Sequence, residues 1–292
     1  MSSLTVHTSR RAITVHSGGD AAFQFLAGSP QLSAKLTPAS ITIESEDTFL
    51  SASWHGIAPA FLTRIASARD LTLQLDSEIA ALSLQDAEPD VLLAGSILHC
   101  HGRRLLLLGP GFPRTALALA LFSSGVDIEG DWACRLSLAG FTALPRSVRW
   151  DARLLHAFRE IAEVSEGLPS HCVDSFHGEL SAWSPATAER PWICRDGAIH
   201  GIVATDNNGG GRSLARRMAP DFVWSHLMAA RINGNGGVAL AAELKNLATT
   251  TPAIKLSVGD LGAAAHAVME FLRALEAQSS YPGGVARQGR VC

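Results

Sequence analysis

The sequence predicts an α/β protein with a central sheet and a small N-terminal α/β subdomain. The stretch LLLLGPGFPRTALALAL, residues 105–121, reads as a strand, a tight turn and a helix. Four successive leucines mark a strand apolar on both faces, the Gly-Pro-Gly break turns the chain, and the Ala/Leu run that follows favours helix. The C-terminal third repeats the alternation, with a helix (VALAAELKNLA), a strand (AIKLSV) and a second helix (LGAAAHAVMEFLRALEA). Strands alternating with helices in this way build a sheet covered by helices.

Residues 1–90 read as the N-terminal subdomain. Alternating segments (AITVHS, SITIES) and an amphipathic stretch (AFLTRIASA) are divided by Gly, Pro and Ser clusters. The region carries no catalytic signature, which suggests recognition or assembly. The core is expected over 91–277. VLLAGSILHC is an apolar stretch ending in polar residues, and CHGR suits a hairpin turn into RRLLLLG. The helix TALALALFSS closes at Gly125, a good residue for a left-handed helix end. VDIEGDWACRLSLAGFTALPR reads as short strands with a turn at Gly140. LLHAFREIAEV has a helical apolar stripe, residues 181–225 read as irregular, and a helix is expected from Phe222 to Ala230. Residues 278–292 read as a flexible tail.

Composition narrows the function. A 47% hydrophobic and 17% charged chain can bury a sizeable core. The net charge of −3 argues against a nucleic-acid partner or an anionic membrane surface. No apolar run reaches the roughly 20 residues of a membrane helix. Five widely spaced cysteines without a CxxC pair fit reduced thiols in a cytoplasm.

The Gly/Pro loop has the outline of a phosphate-binding loop. Such a loop curls consecutive backbone N–H groups around phosphate at a helix N-terminus, adds a lysine, and places a Ser/Thr hydroxyl on magnesium. Here Gly109, Gly111, Arg114 and Thr115 are the candidate phosphate-binding residues, with Thr115 also a candidate metal ligand. Aligning Arg114-Thr115 with the lysine and hydroxyl puts Pro113 where the last glycine belongs and leaves the loop one residue short. Proline donates no N–H, and a planar guanidinium does not replace a lysine point charge.

In their order, these segments resemble the HPr kinase/phosphorylase superfamily. The likeness is closer to its relatives in ribosomal-peptide tailoring, the HPr kinase-related proteins and lasso-peptide kinases. His99 matches the strand histidine, Gly125 the helix-ending glycine, Asp131 the first acid of a strand-end pair, and Leu144-Pro145-Arg146 a later motif. RINGNG and TPAIKLSVGDLGAAAHAVMEFLRAL match the ending, so the resemblance spans roughly residues 91–275. It implies an HPr-kinase-like core, ATP phosphates on the loop, Mg2+ on Thr115 and Asp131, and His99 or Asp131 assisting an acceptor hydroxyl. The departures are a short hairpin after His99, the missing glycine and lysine, and Trp132 in place of a second acid. Phosphoryl transfer depends on positioned charge, so these losses weigh against turnover. Glu129 is the candidate substitute for the missing acid.

Three other groupings carry weaker signals. His99 and His101 share a strand face and, with His171, Cys172 and His177, hold ligand-type side chains without a recognised zinc spacing. A metal-free reading is favoured. TDNNGGGRSLARRM pairs an anion-nest candidate at 209–211 with Arg212, Arg216 and Arg217 entering a helix, but a flexible surface loop with a solvated basic face is the favoured reading. Arg146 suits a carboxylate or phosphate, and Trp183, Trp192 and Trp224 suit packing. The expected function is that of a kinase-related protein with a diverged nucleotide site, acting on or with a ribosomally made peptide or its tailoring enzyme. The alternative is a non-catalytic pseudokinase subunit that binds a partner protein or leader peptide.

Overall fold

The computed structural model describes the backbone of five N-terminal strands, together with residues 90–143, 148–166, 171–175, 178–183, 196–207, 211–232 and 238–279. The N-terminal strands are β1 (Ser2–His7), β2 (Arg11–Ser17), β3 (Thr37–Glu46), β4 (Phe49–His55) and β5 (Leu62–Ile65). They form one sheet in sequence order, with β2 and β3 parallel and the other pairs antiparallel. The alternating AITVHS and SITIES segments lie in β2 and β3, and the centre of the amphipathic stretch lies in β5.

The rest of the protein is mixed α/β around a central mixed sheet. The hairpin β6 (Val91–Cys100) and β7 (Arg103–Leu108) turns on His101 and Gly102, both at positive φ, as a two-residue turn matching strand twist requires. Helix α1 (Gly111–Ser123) follows. Its end is a glycine-closed cap: Gly125, at φ +91°, donates to the Phe122 carbonyl, and Val126 donates to that of Leu121. Short strands β8 (Asp127–Gly130), β9 (Ala133–Ser137) and β10 (Gly140–Ala143) come next.

Strand β11 (Val148–Asp151) leads to helices α2 (Ala152–Ala157) and α3 (Glu160–Glu166). The expected single helix is thus two. The Asp151 side chain caps α2 by accepting from the Arg153 and Leu154 amides, and the chain leaves helical geometry at Phe158. Strands β12 (His171–Ser175) and β13 (Gly178–Trp183) pair with β11 in a small sheet.

The region read as irregular contributes two strands of the central sheet, β14 (Gly201–Asn207) and β15 (Leu214–Arg217). Helices α4 (Pro220–Ala229) and α5 (Val238–Thr250), strand β16 (Ala253–Val258) and helix α6 (Leu261–Ser279) complete the described chain. Arg216 and Arg217 therefore lie on a strand and not at a helix start.

The central sheet runs β10-β9-β6-β7-β14-β16-β15, with β8 paired to β6. Strands β7, β14 and β16 are parallel, so their carboxyl ends share one edge. The four leucines explain the place of β7. Leu105 and Leu107 enter the core beneath α1 and α6, while Leu106 and Leu108 enter the opposite core beneath α4 and α5. All four are at most 1% exposed, and each contributes about 1.5–3 kcal/mol by burial. Helix α6 follows the same logic, burying Leu261, Ala265, Val268, Leu272 and Leu275 at helical spacing. No described helix is long and apolar enough to cross a membrane.

Candidate functional site

The site lies where β7 hands the chain to α1. Gly109 adopts φ +122°, and a Cβ there would stand 2.6 Å from Thr205 Oγ1 with the Thr205 carbonyl closer still. Only glycine permits this approach to β14. The Thr205 hydroxyl seals the junction by donating to the Leu108 carbonyl at 2.9 Å.

The turn is shorter than the sequence suggested. The helix starts at Gly111, so Gly111, Pro113 and Arg114 belong to its first turn rather than to a loop. Pro113 is tolerated there because early helical N–H groups lack intrahelical acceptors. It has no N–H to offer, and the Arg114 N–H already donates to the Pro110 carbonyl at 3.3 Å. At most the Gly111 and Phe112 amides remain to meet an anion.

Asp131, in the turn after β8, is the hub of the site and only 7% exposed. Its Oδ1 accepts a hydrogen bond from Ser96 Oγ, and its Oδ2 one from Thr115 Oγ1, both at 2.6 Å. Arg114 bends back toward the same residue. Its Nη2 donates to the Asp131 carbonyl at 3.0 Å, its Nη1 to the Gly109 carbonyl at 3.4 Å, and its Nε stands 3.8 Å from Asp131 Oδ1. Arg114 as a whole is 6% exposed. The positive charge that a phosphate loop would aim at its ligand is spent inside the protein.

Thr115, Arg114 and Asp131 are thus brought together, with Gly109 joined through its carbonyl. His99 lies apart from them. On β6 the side chains of Ser96 and His99 point to opposite faces, as positions an odd number of residues apart must. The His99 face carries Arg104, its cross-strand neighbour. Burial, then Arg103, Arg104 and His99, holds the His200 imidazole below its usual value. The Arg104 N–H donates to His200 Nδ1 at 3.0 Å.

Glu129, the candidate substitute acid, also lies outside the cluster. It pairs with Arg104 through Nε to Oε1 at 3.0 Å and Nη2 to Oε2 at 2.7 Å, and Arg104 Nη2 also donates to the Phe141 carbonyl. Cys134, fully buried, has its thiol pushed up to about 12, chiefly by burial and against the opposing pull of Arg114 and Arg104. It is no nucleophile at neutral pH.

Among the described residues, no three His, Cys, Asp or Glu side chains gather to hold a metal. His177, Leu144-Pro145-Arg146, Trp192 and residues 209–210 lie outside the described residues, as do the side chains of His171 and Cys172. Trp183 is buried, with its ring centroid 4.5 Å from that of Phe122. Trp132, at the second-acid position, packs on Leu92 and Ala133. Sequence reasoning missed Ser96, whose signal was a lone hydroxyl within the apolar run VLLAGSIL.

These residues do not fit a magnesium-bound nucleotide. Both Asp131 oxygens hold hydroxyl protons, a guanidinium occupies the space beside the carboxylate, and the helix N-terminus offers two amides at most. No family model and no curated protein matches the chain. Among solved structures it is similar to the HPr(Ser) kinase/phosphatase from Coxiella burnetii, at 9% identity and a TM-score of 0.33, over 65% of this chain and 99% of that one.

Proposed function

We propose that the protein is a kinase-related binding subunit whose nucleotide site has been closed, acting together with a ribosomally made peptide or its tailoring enzyme in the cytoplasm. The observation that carries this reading is the inward turn of Arg114 onto Asp131. A working site keeps its cation and its acid apart, for phosphate and for metal. Here the guanidinium lies against the acid, with Nε 3.8 Å from Oδ1 and Nη2 on the Asp131 carbonyl, and the two flanking hydroxyls bond both carboxylate oxygens. The ancestry and the peptide connection rest on the sequence resemblance, which places His99, Gly125 and Asp131 in the order of the peptide-tailoring kinases. On this reading the retained strand, turn and helix serve as scaffold, and the N-terminal sheet serves recognition or assembly.

The test measures binding and transfer in parallel. The intact chain is titrated with precursor peptides of tailoring clusters, then incubated with the same peptides, ATP and magnesium. The expected outcome is peptide binding without phosphate transfer. Transfer above the enzyme-free blank would restore the reading as an active phosphotransferase, and absence of binding to any such peptide would remove the peptide connection.

A further inference from the structure

A second site lies on the other side of the Gly109–Pro110 turn, at the carboxyl ends of β7 and β14. A cavity of about 450 Å3 opens there. Crevices at the carboxyl ends of parallel strands are where open α/β sheets take small ligands. Its walls are mainly small and apolar, from Ala94, Pro110, Ala229 and Ala230, and besides Thr205, whose hydroxyl bonds the Leu108 carbonyl, three titratable side chains line it: Asp206, Lys255 and His226.

Lys255 Nζ donates to Asp206 Oδ2 at 2.9 Å. An ammonium has three N–H groups, so two more donors remain, and a carboxylate accepts more bonds than this one. The Ser257 side chain is a second hydrogen-bond partner of the same carboxylate; its Oδ1 is shielded from solvent, but with the side chain 39% exposed the carboxylate still presents acceptor lone pairs toward the cavity. His226 is held below its usual value by burial and then by Lys255, against the opposing pull of Asp206, and so adds no charge at neutral pH. The lining then carries one positive and one negative charge side by side. A multiply charged phosphate would gain from Lys255 and lose against Asp206, and a neutral ring would engage neither charge and leave them to each other.

We propose that this cavity binds a small zwitterion of the α-amino-acid class with an apolar side chain. The ligand's ammonium donates to the Asp206 carboxylate, its carboxylate accepts from Lys255, and its side chain lies among the alanines and Pro110. The proposal is independent of the Asp131 cluster, and neither reading requires the other.

The test compares L-leucine with N-acetyl-L-leucine and L-leucinamide, each lacking one charge, by calorimetry on the intact chain. Leucine is expected to bind, and each blocked form to bind at least about tenfold more weakly. Lys255 is half exposed, so Lys255→Met should keep the fold by circular dichroism. This variant should weaken leucine by a similar factor while leaving leucinamide unchanged. No leucine binding up to about 10 mM, equal binding of the blocked forms, or displacement of leucine by ATP would each overturn the proposal.

Discussion

Glu129→Gln lowers stability by about 3–5 kcal/mol, the cost of breaking a buried ion pair from one side. Glu129 is 2% and Arg104 4% exposed, and their pairing uses three short contacts. The amide keeps the shape of the side chain but strands a guanidinium between β7, β8 and the Phe141 carbonyl. Removing both charges together, as Arg104→Met with Glu129→Leu, recovers a large part of the loss, because no lone charge is left behind. Chemical denaturation reads this as a fall in midpoint without a change in slope. A single-variant loss below about 1 kcal/mol would show that the pair contributes no more than a surface one.

Asp131→Ala is expected to destabilise by a similar amount, about 3–5 kcal/mol. Ser96 and Thr115 lose their acceptor, and Arg114 loses its carboxylate, all within a site under a tenth exposed. Each stranded hydroxyl costs about 1–3 kcal/mol, and the sum is less than additive because the three groups share one partner. The sign separates two roles. An acid kept for a metal is strained while the metal is absent, so its removal stabilises the apo protein. An acid already answered by Arg114, Ser96 and Thr115 is structural, and its removal destabilises. Equilibrium unfolding in the presence of a chelator distinguishes the two, and the double change with Arg114→Met should be less harmful than the two singles combined.

The elements legible in the sequence were those with a strong local signal. Four leucines fixed β7 as a strand covered on both faces, Gly125 fixed the end of α1, and helical spacing fixed α6. Strand β14 escaped notice because its buried core, Gly201–Thr205, is short and runs into an Asn/Gly-rich segment. Its identity as a central strand comes from pairing with β7 and β16, and no local pattern reports a pairing partner. Arg114 and Thr115 were legible in the loop motif, and Asp131 was joined to them only through the family resemblance. The direction of the Arg114 side chain was not legible, because it depends on where the turn after β8 puts a carboxylate. Nor did the motif show that His99 faces away, which follows only once Ser96 is seen on the Asp131 side of β6. Asp206 and Lys255 lie far apart in sequence and meet only through the parallel pairing of β14 with β16.

The central claim of the proposed function is that the turn after β7 does not hold nucleotide. Relative to a working phosphate loop, it lacks an amide at Pro113, a lysine, and an uncommitted acid. Each lost charge-assisted bond costs about 1.5–3 kcal/mol, which together amounts to a hundredfold or more in affinity at about 1.4 kcal/mol per tenfold. The most direct test is calorimetric titration of the intact chain with ATP, with and without magnesium, alongside the Thr115→Val variant. The account predicts no saturable binding below about 1 mM in either protein. Micromolar binding that requires magnesium and is lost in Thr115→Val would contradict it.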